Sequence, residues 1–316
     1  MSTIAPTLTQ ERSTLDRWLG ANRWARPLLA AGVVMLVLSV AREIADAPTM
    51  TSSEAFIAAI GASAPILLAG LGGLWSERAG IVNIGLEGMM ILGTWFAGWA
   101  GYLWGPWAAL VWGGIGGALG GLLHGVATIT FGVDHVVSGI AINLIAPGLC
   151  RFLSSELFVG RGDGTITQSP TMTSRMGRLT VPFISGGDFF GHSTPDPLGW
   201  IAEQRWFFIS DVAGLLKGFT TDMSYSTLVA LLMVPVTFYV LWRTAVGLRL
   251  RSSGERPGAA ESLGVPVYRI RYLAVTASGF LAGLGGAWLA IDIRAYNQGQ
   301  TAGRGFQGLA ATIFGN

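Results

Sequence analysis

The stretch Arg243-TAVGLRLRSSGERPGAAESLGVPVYRI-Arg271 decides the fold class, because it separates two apolar segments, 224–242 and 272–291. It carries six arginines and only two glutamates. Arginines clustered between two membrane spans are typical of the cytoplasmic side. The stretch therefore predicts a membrane protein in which two spanning helices are joined by a cytoplasmic loop, 243–271.

Inside that loop, the residues from Gly254 to Gly264 predict a short helix. Pro257 suits the first helical turn, where a missing N–H costs no hydrogen bond, and Gly264 suits the left-handed position just past the end. Two interpretations stay open. The loop is either a solvated connection whose arginines only set orientation, or a helix held between two spans on which a separate soluble motor acts.

The composition agrees with a membrane protein. Hydrophobic residues make up 51% of the chain and charged residues 12%, where soluble domains usually have about 25% charged residues. The net charge of +2 argues against a nucleic-acid partner. Cys150 is the only cysteine, which excludes an internal disulfide and a cysteine metal cluster. The motifs G-x-x-x-x-G-K-S/T and H-E-x-x-H do not occur, so the sequence predicts no cofactor and no metal site.

The apolar runs predict an all-α, polytopic membrane helix bundle with about seven complete spans and a partial eighth. A spanning helix needs about 20 mostly apolar residues. The predicted spans are 27–41, 56–74, 81–103, 106–131, 136–154, 224–242 and 272–291. The last apolar stretch, 306–316, is too short to cross a membrane. We therefore expect the native protein to continue past Asn316 with at least two more spans.

Arginine counts predict the orientation. With the N-terminus in the cytoplasm, the inner segments hold 11 arginines and the short outer segments hold three. The inner segments are 1–26, 75–80, 132–135 and 243–271, and the outer ones are 42–55, 104–105 and 292–305. The first span resembles a secretory signal, but its long leading region and the six later spans favour an uncleaved helix. The chain then divides into a cytoplasmic segment, 1–26, and a transmembrane domain, 27–316.

The long loop 155–223 lies outside in this arrangement and is rich in Gly, Ser, Thr and Pro. Within it, the segment from Trp200 to Lys217 mixes aromatic and polar residues and is too polar to span. It predicts a helix lying in the outer membrane interface. A docking surface for an extracellular partner is an equally open interpretation.

Glycines at four-residue spacing predict close helix packing. Gly113, Gly117 and Gly121 lie in the predicted fourth span, and Gly279 and Gly283 lie in the seventh. Small residues at this spacing let helix backbones approach closely in lipid. We interpret these glycines as structural.

Polar residues within the spans are the better functional candidates. Asn83 and Glu87 are four residues apart and share one face of the third span, and Asn143 lies in the fifth. A carboxylate is costly at the membrane centre, so Glu87 is expected to face the bundle interior, a cavity or a partner. For Glu87, a functional role and a hydrogen bond between helices both stay open. For His124, a structural contact is the favoured interpretation.

Three stretches carry a family resemblance. Gly73-LWSERAGIVNIGLEGMMIL-Gly93 and Gly247-LRLRSSGERPGAAESLGVPVYRIR-Tyr272 are similar to the two signature regions of permease subunits of bacterial ABC importers, and Gly303-RGFQGLAATIFG-Asn316 also matches. The family handles branched-chain amino acids, ribose-type sugars and nucleosides. The first stretch most resembles its nucleoside subgroup, which is associated with basic membrane proteins. The resemblance runs from about Ser53 to the last residue.

The resemblance implies a transport subunit of the type II importer fold and not an enzyme. It implies four kinds of partner: an ABC ATPase subunit that hydrolyses ATP, a second permease subunit, an extracytoplasmic substrate-binding protein and membrane lipid. It places the chain in the bacterial inner membrane. The short helix of loop 243–271 would be the coupling helix, with Gly254, Glu255, Arg256, Pro257, Gly258, Ala259, Ala260, Glu261 and Gly264 as its residues. The translocation pathway would be lined or shaped by Asn83, Glu87 and Asn143.

Two functions from other classes remain as alternatives. An ion-gradient-driven secondary transporter would be expected to show inverted repeats and intramembrane ionisable pairs, and neither is clear in the sequence. A membrane-embedded enzyme would need several catalytic groups at one membrane depth, and only Glu87 is a candidate.

Overall fold

The computed structural model describes residues 25–189 and 192–315, and most of these residues are helical. The helices, in chain order, are α1 (Ala25–Ala45), α2 (Ser53–Arg78), α3 (Leu86–Trp104), α4 (Pro106–Gly125), α5 (His135–Leu157), α6 (Pro197–Glu203), α7 (Ile209–Gly218), α8 (Tyr225–Arg243), α9 (Ala245–Glu255), α10 (Pro257–Ser262), α11 (Val267–Ile293) and α12 (Arg304–Gly315). A 3-10 turn, Pro48–Thr51, precedes α2, and a π-helical turn, Val126–Thr130, extends α4. Most of the predicted segment 1–26 lies outside the described residues.

The chain divides into two compact units. The first is formed by Met1–Ile57 and Thr180–Thr221, and the second by Ala58–Leu179 and Asp222–Asn316. The second unit contains most of the long helices, both signature stretches and the loop 243–271. It therefore holds all the residues that the sequence nominates for a site.

Six helices in the described part of the chain are long and apolar enough to cross a membrane. They are Leu28–Ala45, Ser53–Arg78, Pro106–Thr130, His135–Leu157, Tyr225–Arg243 and Val267–Ile293. The prediction of a multi-pass, mostly helical membrane protein is confirmed. The count of seven complete spans and a partial eighth is not confirmed, because α3 is not among these six.

Helix α3 differs from the predicted span 81–103 in where it starts. Residues 81–85 are not helical, and the helix begins at Leu86. Most of its 19 residues are buried inside the protein. A helix surrounded by other helices meets little lipid, which explains why α3 can carry Glu87 and several glycines and tryptophans.

The predicted glycine packing is confirmed. A Cβ atom built on Gly117 would overlap the carbonyl oxygen of Gly279, and one built on Gly283 would overlap the carbonyl oxygen of Gly113. A Cβ on Gly121 would likewise overlap the backbone of α11. The backbones of α4 and α11 thus touch directly. Helix α3 packs against both, since Gly93 meets the backbone of Gly283 in α11 and its carbonyl oxygen would lie 3.0 Å from a Cβ on Gly113 in α4. This glycine seam is the centre of the second unit.

The part of loop 155–223 that belongs to the first unit contains two short helices, α6 and α7. The sequence predicts one helix over 200–217, but the chain breaks between Glu203 and Ile209. Arg205 and Phe208 have φ values of 55° and 64°. Side-chain-bearing residues rarely adopt this left-handed region, and a continuous helix cannot pass through it. Two short antiparallel strand pairs also occur, Arg178–Leu179 with Met223–Ser224 and Asp188–Phe189 with His192–Ser193.

Candidate functional site

Glu87 accepts three hydrogen bonds from the segment that leads into helix α12. Its Oε1 accepts from the hydroxyl of Thr301 at 2.6 Å and from the backbone N–H of Gly303 at 3.0 Å. Its Oε2 accepts from the backbone N–H of Gly305 at 2.7 Å. The residue is buried, with 7% of its surface exposed. The carboxylate therefore caps the N-terminus of α12 from another helix, where free N–H groups and the helix dipole favour a negative charge.

Glycine makes this capping contact possible. A Cβ on Gly305 would overlap the backbone of Glu87, and a Cβ on Gly308 would overlap Ala69 and the backbone of Gly70. Further along α12, the hydroxyl of Thr312 donates to the carbonyl oxygen of Gly70 at 2.9 Å. The short helix α12 is thus held between α2 and the start of α3.

Asn83 lies in the non-helical segment 81–85 and is almost fully buried. Its Nδ2 donates to the hydroxyl oxygen of Ser278 in α11 at 2.9 Å, and its Oδ1 accepts from the backbone N–H of Gly85 at 3.1 Å. The side chain therefore joins the segment to α11. It also accepts from the backbone N–H of Gly85, which lies outside any helix.

Asn143, in α5, binds the same segment from the other side. Its Oδ1 accepts from the backbone N–H of Gly88 at 2.7 Å, and its Nδ2 donates to the carbonyl oxygen of Ile84 at 2.9 Å. One amide side chain thus pairs both a donor and an acceptor at the start of α3. Buried backbone groups left without partners cost about 1–3 kcal/mol each, so this contact stabilises the break between α2 and α3.

Two histidines complete the set of contacts to segment 81–85. His124 is fully buried, with Nδ1 2.9 Å from the hydroxyl of Ser138 and Nε2 3.3 Å from the carbonyl oxygen of Val82. The backbone N–H of Val82 donates to Nδ1 of His135 at 3.4 Å. The structural interpretation of His124 is consistent with these contacts.

The structure therefore brings Asn83, Glu87 and Asn143 to one junction, where α3, α5, α11 and α12 meet. Each side chain binds protein groups. The sequence reasoning missed their partners Ser278, Thr301 and Gly305. A signal existed for the last two, because Thr301 and a glycine-rich turn stand directly before an apolar helix, a pattern typical of a helix start.

Loop 243–271 contains two helices where the sequence predicts one over Gly254–Gly264. Helix α9 ends at Glu255, Arg256 has non-helical backbone angles, and α10 begins at Pro257. Gly254 and Glu255 therefore belong to α9. The predicted start at Gly254 is therefore wrong, but the positions predicted for two residues are confirmed: Pro257 occupies the first turn of α10, and Gly264, just past its end, has φ +80°.

The small residues of α10 differ in environment. Ala260 is buried, whereas Gly258, Ala259 and Glu261 are exposed. A Cβ built on Gly258 would meet nothing within 4 Å. Leu263, directly after the helix, is 85% exposed. This face of α10 is small and partly apolar, and no residue of the described ranges 25–189 and 192–315 covers it.

Helix α9, which lies within this loop, connects α10 to the junction. A Cβ on Gly254 would overlap the carbonyl oxygen of Arg78 and the backbone N of Gly80. Arg271, in the first turns of α11, donates from Nη2 to the carbonyl oxygen of Ser253 at 3.3 Å. The end of α9 thus packs on residues 78–80, which lead directly into the non-helical segment 81–85.

No metal-binding group of three or more His, Cys, Asp or Glu residues is present in the described ranges 25–189 and 192–315. The donor set at the junction consists of one carboxylate and amides and hydroxyls that already bind protein. The geometry is suited to positioning helices.

Comparison with known proteins gives a consistent assignment. Residues 55–316 match the family model described as the branched-chain amino acid transport system permease component. The chain is 34% identical over 261 residues to the guanosine ABC transporter permease protein NupQ of Bacillus subtilis, covering 80% of this chain and 72% of that protein. It is 37% identical over 262 residues to the nucleoside ABC transporter permease protein NupC of Lactococcus lactis, again covering 80% of this chain and 72% of that protein.

A third relative points to another substrate class. The putative glucose ABC transporter permease protein TsgC13 of Haloferax volcanii is 33% identical over 264 residues, covering 81% of this chain and 69% of that protein. No match was found among solved structures. The family model covers most of the chain and includes both signature stretches. The chain therefore belongs to the family of branched-chain amino acid transport system permease components, and it is a membrane transport subunit.

Proposed function

We propose that the chain forms the membrane pathway of an ATP-driven importer for nucleosides or simple sugars and is coupled to a separate ATPase through helix α10. The relatives named for guanosine, nucleoside and glucose transport support the substrate classes. The uncovered face of α10, joined through α9 to the junction at Glu87, is the observation that carries the coupling proposal.

The topology follows from the arginine distribution. Loop 243–271 lies in the cytoplasm and the N-terminus, 1–26, lies on the same side, with the chain in a bacterial inner membrane. Loop 155–223 then faces outward and is available to an extracytoplasmic substrate-binding protein. A second permease subunit, identical or related, completes the pathway, and lipid surrounds the apolar helices.

Coupling requires a physical connection between the ATPase and the pathway. The ATPase would bind the uncovered face of α10. Movement of α10 would pull on α9, whose residue Gly254 packs on Gly80 without space for a side chain. Residues 81–85 are not helical and are held largely by side-chain hydrogen bonds, so they can shift more easily than a helix. The shift would reach Asn83 and Glu87 and, through Glu87, helix α12.

In this mechanism, Asn83, Glu87 and Asn143 shape the pathway through their contacts to other protein groups. Their side chains hold segment 81–85 and α12 in one arrangement by hydrogen bonds. A second arrangement would need these bonds to break or exchange partners. Substrate specificity would then depend on other pathway residues and on the binding protein.

The test is reconstitution of the chain with its ATPase, its second permease subunit and its binding protein in liposomes. Uptake of labelled guanosine, uridine and glucose is measured with and without ATP. We expect ATP-dependent uptake of one of these classes that is unaffected by ionophores. Uptake that needs an ion gradient and proceeds without ATP would favour the alternative, a secondary transporter. Uptake of branched-chain amino acids only would overturn the substrate proposal.

A further inference from the structure

The segment 294–303 joins α11 to α12 and follows α3 for more than half the length of that helix. A Cβ on Gly98 would overlap the side chain of Tyr296, near the start of the segment. A Cβ on Gly305, just after the segment, would overlap the backbone of Glu87. Glu87 and Gly98 are 11 residues apart in α3, which is roughly 16 Å along a helix. Only the first residues of the segment therefore lie near the C-terminal end of α3.

Helix α12 begins near the middle of α2, a helix that is long and apolar enough to cross a membrane. A Cβ on Gly308 would overlap the backbone of Gly70, and the hydroxyl of Thr312 donates to the carbonyl oxygen of Gly70. Gly70 lies within roughly 7 Å of the midpoint of α2 along its axis. A membrane around α2 would therefore also surround the start of α12. The second half of the predicted outer segment 292–305 thus lies at membrane depth.

Residues 297–303 are not helical and are only partly covered by the rest of the chain. Gly299, Ala302 and Gly303 have positive φ values of 83°, 47° and 79°, which interrupt any helix. Gln298, Gly299 and Ala302 are exposed, so the described part of the chain does not cover them. Non-helical backbone at membrane depth is tolerated only where it is buried in protein or lines a water-filled cavity. The exposed side of this segment therefore faces water or another protein chain and does not face lipid.

The accessible polar side chains of this region are neutral amides. The stretch Asn297-QGQTA-Gly303 contains no charged residue. Gln298 is exposed, Asn297 is half-buried, and Gln307, in the first turn of α12, is exposed as well. The side-chain amides of these three residues make no hydrogen bond to any residue of 25–189 and 192–315, and they remain accessible. Each amide has an acceptor oxygen and an NH₂ donor, so all three can bind a polar ligand.

The charged groups beside the segment already bind protein. Nη1 of Arg304 donates to the carbonyl oxygens of Gln300 and Thr301 at 2.9 and 3.3 Å. The carboxylate of Glu87 caps α12. A free amino acid carries an ammonium and a carboxylate, and burying a charge is costly unless it is paired. A nucleoside or a sugar has several hydroxyls and no charge, which matches the accessible amides.

We propose that residues 297–303 line the translocation pathway and that the amides of Asn297, Gln298 and Gln307 hydrogen-bond a neutral, hydroxyl-bearing substrate. This inference rests on the proposed function and identifies pathway residues that contact the substrate. The exposed side of the segment then meets water and substrate, and the second permease subunit closes the pathway around it. The segment ends at the cap that Glu87 provides for α12, so a shift of Glu87 would also move this site.

The first test is thiol labelling of the assembled importer in liposomes with a membrane-impermeant methanethiosulfonate reagent. The native Cys150 is buried, so the wild type is expected to give a low background. The matched control is Leu232→Cys, an exposed position near the middle of α8. Gln298→Cys and Ala302→Cys are expected to react at least about ten-fold faster than Leu232→Cys, because a thiol in apolar surroundings forms little thiolate.

The second test is the KM of ATP-driven uptake by Gln298→Leu, which removes the amide and keeps a side chain of similar size. The loss of one hydrogen bond to the substrate is expected to raise the KM by about two- to ten-fold. Leu232→Cys is expected to keep the wild-type KM. Guanosine and glucose are assayed separately. A rise for guanosine assigns the site to nucleosides, and a rise for glucose assigns it to sugars.

Two results would overturn the proposal. One is labelling of Gln298→Cys and Ala302→Cys in the assembled importer that is no faster than labelling of Leu232→Cys. If both react fast in the isolated chain in detergent, the second subunit covers the segment. The other is a wild-type KM for both substrates in Gln298→Leu. A wild type without ATP-driven uptake would instead contradict the proposed function, and the labelling rates would still decide whether the segment meets water.

Discussion

Two regions of this chain are built from the same small residues and use them in opposite ways. In the glycine seam, Gly117 and Gly279 bring the backbones of α4 and α11 into direct contact. In α10, a Cβ on Gly258 would meet nothing within 4 Å, and Ala259 is exposed. Packing within the chain explains why the residues of the seam are small. No residue of the described ranges 25–189 and 192–315 packs on the exposed face of α10, which is in keeping with the proposed contact to the ATPase.

The largest expected effect is in the seam. Gly117→Ala places a Cβ against the carbonyl oxygen of Gly279 and the Cα of Gly283, both backbone atoms that cannot rotate away. Overpacking a tight core typically costs 1–3 kcal/mol, and occasionally more, so we expect a loss of about 3 kcal/mol or failure to fold. Thermal unfolding of the chain in detergent and its purified yield measure this.

The control for the seam is Gly148→Ala in α5. Gly148 is also helical, but a Cβ built on it would meet nothing within 4 Å. We expect its stability to equal or slightly exceed that of the wild type, because alanine has the higher helix propensity. Equal stability of the two variants would contradict the packing role of the seam.

The next effect is at Glu87. In Glu87→Gln, one carboxylate oxygen becomes an NH₂ group, which cannot accept from the N–H of Gly305 or Gly303. At least one buried donor then loses its acceptor, at a cost of about 1–3 kcal/mol. We expect a lower melting temperature together with reduced uptake, because the cap of α12 loses at least one of its three hydrogen bonds.

The matched control for Glu87→Gln is Glu156→Gln, which changes an exposed carboxylate and should stay within about 0.5 kcal/mol of wild-type stability. Wild-type melting and full uptake in Glu87→Gln would show that the three hydrogen bonds do not hold α12. Normal melting with lost uptake would place the charge itself in the transport step.

A smaller effect separates two neighbouring alanines of α10. Ala259→Trp adds a large side chain to the exposed face and should leave the chain folded, while it weakens binding of the ATPase by about one to two powers of ten. Ala260 is 4% exposed, so Ala260→Trp should destabilise the chain itself. Co-purification of the ATPase and the melting temperature of the permease alone distinguish the two. If Ala259→Trp binds the ATPase as the wild type does, the coupling role is contradicted. The arginines of loop 243–271 would then only set the orientation of the chain in the membrane.

The sequence was sufficient to predict the membrane class and most long helices, because these depend on local apolar runs of about 20 residues. The packing of Gly113, Gly117 and Gly121 on Gly279 and Gly283 was also predictable, since four-residue spacing places them on one helix face. Both kinds of signal lie within one element. They need no knowledge of distant contacts.

The contacts of the candidate site were not predictable in the same way. Glu87 and Thr301 are 214 positions apart and meet only because α12 folds back between α2 and α3. The non-helical segment 81–85 reads as an apolar run, and its break depends on Asn143 and His124 from other helices. The boundary between α9 and α10 at Arg256, by contrast, has a local cause that the sequence contains, because Pro257 disfavours helical backbone angles at the residue before it.

The smallest expected effect concerns two exposed glycines, Gly258 within α10 and Gly264 just past its end. It tests whether the available space or the backbone conformation determines the cost of an alanine at each position. A Cβ on either Gly258 or Gly264 would meet nothing within 4 Å, but Gly264 has φ +80° and Gly258 is helical. Gly264→Ala should therefore cost about 1–2 kcal/mol through backbone strain, and Gly258→Ala should be neutral or stabilise by up to about 1 kcal/mol.

Hydrogen exchange of the amides from Ala260 to Val265 measures the effect of both substitutions. We expect exchange roughly five- to thirty-fold faster in Gly264→Ala and no faster in Gly258→Ala. The added methyl group would contact nothing at either position. Equal exchange in both variants would therefore mean that the packing of Ala260, and not the left-handed residue after the helix, stabilises α10.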